Sequence, residues 1–503
     1  MAKNLFNSIQ LTKPKKNFFD LTHDVKMSTN MGQLTPILAL ECVPGDKFDI
    51  GCESIIRFAP MVAPVMHRMD VTMHYFFVPN RILWDNWEKF IVDPNSEYVL
   101  PYITYYNANN YSTQQNKFLD YMGVPPNNSS TSQWLTALPF AAYQCIYNEY
   151  YRDQNLIAPV DYKLVDGENG VNYAELFAMR NRAWEHDYFT ASLPFAQKGQ
   201  AVDIPIGAIE GNAPIYYEGS SGDSPTVLSG SPYSKTVPPQ PSSTTSTDLF
   251  AQTDGLDVEP TTINDLRRAF RLQEWLEKNA RGGTRYIENI LSHFGVKSSD
   301  ARLQRPEYIT GVKTPVVVSE VLNTSGTVDQ LPQGNMAGHG IAVSSGNSGS
   351  YFCEEHGYII GIMSVMPKTA YQQGIPRTYL KRDSLDYFWP TFAHIGEQEV
   401  ANNELFAYTN DPGGTFGYVP RYSEYKYMPS RVAGDFRTSL DYWHLGRIFE
   451  DAPQLNQEFI ECTPEACERI FAVTDVEQDK LYCHVLNKIK AVRPMPKFGT
   501  PSF

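Results

Sequence analysis

The chain has 503 residues and a net charge of −14, and 13% of its residues are aromatic. This length allows a large core, and 35 Pro and 33 Gly between short apolar runs favour strands and turns over helices. The acidic balance argues against a general nucleic-acid binder, because phosphate binding needs Lys and Arg. Seven scattered Cys without a signal peptide indicate free thiols, and no apolar run has the length of a membrane span, so we expect a soluble protein without membrane insertion.

The basic residues concentrate at the two ends of this acidic chain. Residues 1–29, which are polar and show no clear period, are predicted to form a basic extended arm, and residues 488–503 a basic tail without any acid. Two basic ends on an acidic body suit a shell around a polyanion, although short solvated termini are about as compatible with this pattern. The candidate DNA-binding residues are Lys3, Lys13, Lys15, Lys16, Lys488, Lys490, Arg493 and Lys497.

The first hundred residues predict three strands and a helix. Leu34–Leu40 and Asp46–Phe58 are short strands separated by a turn at Pro44 and Gly45. From Met69 to Phe77 apolar residues alternate with polar ones, which is typical of a half-buried strand. The apolar positions in Arg81–Ile91 then recur at helical spacing, so we expect one short helix there.

The middle of the chain is less regular. Residues 98–200 are rich in Tyr and Asn, with a predicted helix at Leu138–Asp153. Within residues 205–262, the stretch 219–248 is dominated by Ser, Thr, Pro and Gly, so it cannot bury a core of its own and is either a projecting loop or a flexible linker. Asn264–Arg281 has an apolar stripe, polar caps and a following Gly pair, which predict a helix.

The second half supplies further strands. Gly357–Met366 is apolar on both faces, so we expect it at the centre of a sheet. In Leu481–Val492 one face is apolar and the other carries Lys488 and Lys490, so a packed strand would present a basic face. The predicted strands are Val312–Val318, Gly357–Met366, Arg469–Thr474 and Leu481–Val492.

Three groups of reactive residue types favour structural roles. Residues 346–350, Gly-Asn-Ser-Gly-Ser, are similar to the setting of a trypsin-like nucleophile, but Asn replaces the Asp, so we expect a turn. Cys462 and Cys467 lack the spacing of zinc ligands. The acids of 354–356 and 397–399 diverge along a strand or lie at its polar end. We therefore predict no catalytic residues, no metal and no cofactor.

Residues 63–91, APVMHRMDVTMHYFFVPNRILWDNWEKFI, resemble the signature segment of the major capsid proteins of gokushovirus-type Microviridae, which are small icosahedral single-stranded DNA bacteriophages. Further segments of the family pattern occur in order along most of the chain. These matching segments include MSTNMGQLTPILALECVPGDKF, RPEYITG, EHGYIIGIMSVMP, FAHIGEQEV, GDFRTSLDYWHLGRIF and PMPKFGTPSF. The clear departure from the family pattern is a variable segment in the middle of the chain.

The resemblance implies a mainly β fold, an eight-stranded antiparallel jelly roll whose long inter-strand loops contain a few helices. Residues 30–503 would form this single capsid domain, with 205–262 as a surface insertion used in host attachment. The implied function is a non-enzymatic one, a T=1 icosahedral shell of 60 copies around a circular single-stranded DNA genome. The competing class is a β-rich carbohydrate-active enzyme or a lectin-like module.

The resemblance also implies partners and a location. The chain would be assembled in the bacterial host cytoplasm and reside in the virion. Its partners would be copies of itself, the single-stranded DNA genome, minor (pilot) and scaffold proteins, and a host cell-surface receptor. The candidate host-attachment residues are Asp223, Ser224, Pro225, Tyr233, Lys235, Pro238 and Pro239.

Overall fold

The structure, a computed structural model, divides into two compact units, Met1–Ala196 with Gly282–Phe503, and Gln197–Arg281. It also gives the backbone of short strands between 209 and 258. The residues that it describes in full are 15–93, 97–126, 131–200, 202, 262–322, 336–346, 348–475 and 477–498.

The strands pair antiparallel with their neighbours. The chain is therefore mainly β, as predicted. In chain order the strands are β1 (Asn17–Asp20), β2 (His23–Thr29), β3 (Thr35–Cys42), β4 (Lys47–Phe58), β5 (Met69–Pro79), β6 (Tyr102–Tyr105), β7 (Gln133–Thr136), β8 (Ile209–Glu210), β9 (Ile215–Tyr217), β10 (Thr226–Val227), β11 (Leu249–Ala251), β12 (Asp257–Val258), β13 (Glu307–Pro315), β14 (Val317–Leu322), β15 (Met336–Ser345), β16 (Gly349–Phe352), β17 (Gly357–Pro367), β18 (Glu397–Ala401), β19 (Thr415–Pro420) and β20 (Leu481–Arg493).

Most α-helices are short and lie in the connections between strands. The α-helix Leu138–Ile146 is continued by a π-helical turn, Tyr147–Tyr151, so a helical segment over most of Leu138–Asp153 is confirmed. The α-helices are α1 (Asn80–Leu83), α2 (Trp87–Val92), α3 (Thr113–Tyr121), α4 (Leu138–Ile146), α5 (Tyr173–Leu176), α6 (Ile263–Arg281), α7 (Tyr286–Phe294), α8 (Asn402–Leu405) and α9 (Gln457–Ile460). The 3₁₀ turns are Ala108–Asn110, Gly170–Asn172, Arg377–Tyr379, Ser384–Asp386, Pro390–Phe392, Ser423–Tyr425, Gly434–Arg437, Asp441–Trp443 and Glu465–Ile470.

Two large sheets organise the first unit. In the first sheet the order is β1-β20-β4-β15-β14, with β2 also paired to β20 and β16 to β4. In the second sheet the order is β13-β5-β17-β3. The strand β17 lies between two neighbours and is buried along almost its whole length, which confirms the central position predicted for Gly357–Met366.

The main core lies between the facing sides of these sheets. Phe48 and Val485 of the first sheet and Val71 and Ile359 of the second belong to one buried cluster. A polar contact crosses the same interface, because the Tyr75 hydroxyl donates to the buried Asn487 Oδ1 at 2.8 Å. The two sheets are thus packed face to face, which supplies the burial that an isolated sheet lacks.

A second core covers the other face of the second sheet. Phe76 of β5 and Ile360 of β17 join a buried cluster with Phe140 and Tyr143 of α4 and with Phe118 of α3. The second sheet is therefore buried on both faces, which explains why the alternation of β5 ends at Phe76 and Phe77. The first sheet keeps an exposed outer face, and its strands keep their alternation.

Three predicted elements differ from the structure. Arg469–Thr474 is not a strand, because Glu465–Ile470 forms a 3₁₀ turn that places Ile470 in the core. The predicted strand Val312–Val318 is split: β13 ends at Pro315, β14 begins at Val317, and the two lie in different sheets. The helix predicted at Arg81–Ile91 is also split, since Trp84 adopts an extended conformation and its indole donates to Asp166 Oδ1 at 2.7 Å.

Two strands occupy residues for which the sequence indicated only an extended arm. Asn17–Asp20 and His23–Thr29 are β1 and β2, and both pair with β20. The N-terminal and C-terminal segments of the chain are thus adjacent in the first sheet. In the second unit, α6 covers the helix predicted at Asn264–Arg281, and the side chains of Thr262 and Asp265 cap its start.

Candidate nucleic-acid interface

The strand β20 places Lys488 and Lys490 on one face of the first sheet and its apolar residues on the other face. Val485, Ile489 and Ala491 are buried in the core, while Lys488 and Lys490 are exposed on the outer face. This confirms the alternation predicted for Leu481–Val492. A strand with period two necessarily separates the two kinds of residue in this way.

Acids from neighbouring strands balance the lysines on this outer face. Lys490 lies opposite Asp20 of β1 and Asp49 of β4. Hydrogen bonds from Thr22 are the main cause that lowers the pKa of Asp20, and Lys490 adds to the same effect. Lys488 forms an ion pair with Glu53. The face is therefore charge-balanced rather than strongly basic.

Arg493 is held inside the fold. Its guanidinium lies 2.9 Å from Oδ2 of Asp46, whose side chain is fully buried, and it also donates to the Glu41 carbonyl at 3.1 Å. The same Asp46 carboxylate accepts the backbone N–H of Val43 at 3.0 Å. Arg493 thus joins the C-terminal strand to the turn between β3 and β4, and its ion pair is not available to a phosphate.

The N-terminal lysines are partly described. Lys16 donates to the Gly45 carbonyl at 2.6 Å and lies 5.1 Å from the centroid of the Phe352 ring, so it helps to hold the N-terminal segment on the sheet. Lys15 and Lys497 are exposed. Lys3 and Lys13 lie outside the described residues. The structure therefore brings Lys16 and Arg493 to the same turn, where both bind protein atoms.

The predicted host-attachment residues all lie outside the residues that the structure describes. They are Asp223, Ser224, Pro225, Tyr233, Lys235, Pro238 and Pro239.

Glu355, one of the acids weighed for catalysis, and the cysteines weighed as zinc ligands have structural surroundings. Glu355 accepts two hydrogen bonds from Arg81, at 2.9 and 3.0 Å. The Sγ atoms of Cys462 and Cys467 are buried and 3.7 Å apart. The described residues contain no group of three His, Cys, Asp or Glu side chains that could hold a metal ion. Among the helices of the described residues, none is long and apolar enough to cross a membrane.

Two partly buried histidines have pKa values well below the usual range of histidine. His67 donates to the Lys368 carbonyl at 2.6 Å, and His74 is hydrogen-bonded to the Tyr151 hydroxyl at 2.8 Å. Burial is the main cause that lowers the pKa of each to about 4, because a charged imidazolium loses its hydration there. Both side chains are therefore neutral at pH 7.

Two face-to-face antiparallel sheets are consistent with the class of viral capsid proteins, and lectin domains use the same architecture. Comparison with known proteins agrees with this class. The family model described as "Capsid protein (F protein)" matches residues 7–503. This chain therefore belongs to that capsid protein family, and the resemblance to the gokushovirus-type Microviridae is confirmed.

Individual relatives cover the chain almost completely. Capsid protein VP1 of Chlamydia phage 1 is 32% identical, with 100% of this chain and 98% of the relative covered. Capsid protein VP1 of Bdellovibrio phage phiMH2K is 36% identical, with coverages of 98% and 96%. Capsid protein VP1 of Spiroplasma virus 4 is 29% identical, with coverages of 96% and 94%. The chain is a major capsid protein, a structural protein of the virion, and nothing in these comparisons supports an enzyme or a lectin-like module.

Proposed function

We propose that this capsid protein assembles with copies of itself into a T=1 icosahedral shell of 60 chains around a circular single-stranded DNA genome. The observation that carries the proposal is the capsid family match over residues 7–503, which covers almost the whole chain. Closed shells of identical chains need self-complementary surfaces, and the long connections between strands offer the room for them.

The rigid body of each subunit would be an eight-stranded jelly roll. Its sheets would be β2-β20-β4-β15 and β3-β17-β5-β13, in the pairing order of the two large sheets. Along the chain these eight strands change sheets at every connection except the one from β5 to β13, and the first strand pairs with the last. That order is the one expected for the interlocked Greek keys of a jelly roll.

The genome would meet the exposed lysines near the two chain ends. Five of the described candidates are exposed lysines, and two of them, Lys16 and Lys488, are held by protein atoms. We assign phosphate contact to the other three, Lys15, Lys490 and Lys497. Lys3 and Lys13 belong to the same N-terminal segment and are assigned with them. The engagement of Lys16, Lys488 and Arg493 with protein atoms supports a different role for these residues, in which they hold the chain ends on the sheet.

Residues 205–262 would be an insertion in the capsid domain, 30–503, that projects from the shell and contacts the host receptor. Its Ser, Thr, Pro and Gly composition supports a loop rather than a second core. Gln197–Arg281 forms a separate unit that interrupts the other unit in the sequence, which supports the same division. The alignment with the Chlamydia phage 1 relative spans 597 positions, which exceeds the length of this chain and is expected if loop length varies in the family.

Assembly would take place in the bacterial host cytoplasm, with scaffold and minor proteins as partners. All seven cysteines are free thiols and buried. This supports folding in a reducing compartment, because disulfides are rare there.

Electron microscopy of the purified full-length chain tests the proposed function. We expect closed particles of uniform size whose mass corresponds to 60 chains. A matched sample in denaturant should lose the particles, and removal of the denaturant should restore them. A chain that remains monomeric at every concentration, or particles that contain another number of chains, would contradict the proposed T=1 shell.

A further inference from the structure

A large apolar surface is exposed on the first unit. The connecting segments 375–395 and 422–428 carry ten large apolar side chains that are more than a third exposed. Met428 is 90% exposed, Tyr379 is 78% exposed and Ile395 is 57% exposed. We call the exposed apolar side chains of these two segments the aromatic surface. Exposed apolar patches of this kind mark sites where another molecule binds.

The two segments form one continuous surface. The Lys381 ammonium lies 4.9 Å from the centroid of the Tyr387 ring and 4.1 Å from that of the Tyr425 ring, so it joins the two segments. Phe388 packs against Tyr422 with ring centroids 5.0 Å apart. Because these contacts connect residues more than 30 positions apart in sequence, the exposed rings belong to a single patch.

The aromatic surface is also held in a defined shape. The Trp389 indole donates to the Ser384 carbonyl at 2.7 Å. Asp383 Oδ1 accepts the backbone N–H groups of Leu385 and Asp386, at 2.7 and 3.2 Å. A segment that is ordered by its own hydrogen bonds pays little further entropy when a partner binds, which is the advantage of a pre-organised interface.

An apolar pocket lies at the edge of this surface. It has a volume of about 120 Å³, and its mainly apolar lining includes Phe189, Tyr371, Tyr427 and Met428. The charged residues Arg377, Glu404, Glu424 and Arg431 also line it. A side chain of a partner would be desolvated on entering it. Interfaces place their strongest contacts in pockets of this kind, where an aromatic or aliphatic anchor is fully enclosed.

The exposed area matches what a stable contact between two chains requires. Aromatic side chains present about 150–250 Å² each, so ten large side chains at about half exposure offer on the order of 1,000 Å². One partner of a standard interface contributes roughly 800 Å². A shell of identical subunits is closed by contacts between copies, and its symmetry repeats each of these contacts around the shell, so the proposed shell supplies a second copy of this chain as the partner.

We propose that the aromatic surface is a subunit interface at which a second copy of this chain binds. The inference rests on the proposed function, since it names the surface by which the copies associate. The partner copy covers the exposed rings of segments 375–395 and 422–428 and inserts an apolar side chain into the adjacent pocket.

The test compares the assembly of two triple variants of the full-length chain. The disruptive variant is Tyr379→Ser, Ile395→Ser and Met428→Ser, at three highly exposed positions. The matched control is Tyr379→Phe, Ile395→Leu and Met428→Leu, which keeps the apolar area. Analytical ultracentrifugation measures the protein concentration at which half of each protein has assembled, and circular dichroism checks that both are folded.

We expect the disruptive variant to need an approximately hundredfold higher concentration than the wild-type chain, which corresponds to roughly 1 kcal/mol for each lost side chain at 1.4 kcal/mol per tenfold change. The control should assemble within about threefold of the wild type. In wild-type particles, hydroxyl-radical labelling of Tyr379 and Trp389 should fall relative to the free subunit.

The outcomes separate this inference from the proposed function. If the wild-type chain assembles and the disruptive variant assembles equally well, the aromatic surface is not the interface, whereas the proposed shell stands. Protection of Tyr379 together with unchanged assembly would assign the surface to a further segment of this chain and would overturn the inference. A wild-type chain that never associates refutes the proposed function and this inference with it.

Discussion

Replacing Arg493 by Met should destabilise the fold, which would not be expected of a residue that only binds DNA. The Asp46 carboxylate is fully buried, and its nearest cation is the Arg493 guanidinium at 2.9 Å. Without Arg493, the carboxylate remains buried with no counter-charge. Breaking a buried ion pair in this way costs about 3–5 kcal/mol. Because the Arg493 side chain retains 15% of its exposure, we expect the lower end of that range, about 3 kcal/mol.

Thermal unfolding and hydrogen exchange measure this effect. We expect a lower unfolding temperature for Arg493→Met and faster exchange of the Val43 amide, since its acceptor is the Asp46 carboxylate. The matched control is Lys497→Met, at an exposed position where the change in unfolding free energy should stay within about 0.5 kcal/mol. Adding Asp46→Asn to Arg493→Met should restore part of the loss, because no buried charge then remains. Unchanged unfolding of Arg493→Met with weaker DNA binding would refute the structural role and restore the genome role.

Three other perturbations test the remaining assignments. The folded-state pKa of His67 and of His74 is about 4 against about 6.5 when unfolded, so the unfolded chain binds more protons below pH 6.5. Stability should therefore fall between pH 6.5 and pH 4 by up to about 3 kcal/mol for each histidine, and His74→Gln should flatten this profile in denaturant titrations; an equal slope would contradict it. Replacing Lys15, Lys490 and Lys497 by neutral residues should make the plot of log K against log[salt] for single-stranded DNA less steep, by about 2 in the magnitude of its slope. An unchanged slope would exclude phosphate contacts by these three lysines. Deleting 219–248 should leave the unfolding temperature and particle formation unchanged but reduce adsorption to host cells, so normal adsorption would count against a receptor role.

Sequence periodicity predicted five strands of the two sheets, β3, β4, β5, β17 and β20, because their burial follows a regular pattern, and it missed β1, β2, β15 and β16. In β20 the exposed Lys488 and Lys490 alternate with buried Ile489, which is visible without any partner strand. The run Gly357–Met366 has no polar face, and this absence of alternation indicated a central strand. The motifs of the resemblance then identified the class of protein, and the family match confirmed it.

The environment of the basic residues was not predictable from the same pattern. Lys490 meets Asp20 and Asp49 only because β1 and β4 lie on either side of β20, and no local signal specifies that register. Arg493 pairs with Asp46 across 447 positions of sequence, so a count of basic residues at the C-terminus could not distinguish it from Lys497. The sequence indicates only an extended arm for residues 17–29 for a related reason: strands at the edge of a sheet are short and polar, and the pairing partner of these strands lies at the far end of the chain.

The basic residues that are available to a nucleic acid therefore have to be identified from their contacts in the fold, because their number in a segment does not show which of them are already paired. The C-terminal segment contributes four basic residues, yet Arg493 neutralises a buried acid and Lys488 neutralises Glu53 within the same sheet. Only Lys490 and Lys497 of that segment remain for phosphate, and Lys490 already lies between two carboxylates. An interface of so few free cations should bind DNA weakly in one subunit, because each contact adds only one counterion release. Retention of the genome would then depend on repetition of the same few lysines around the closed shell, so a single subunit should bind single-stranded DNA far more weakly than an assembled particle does.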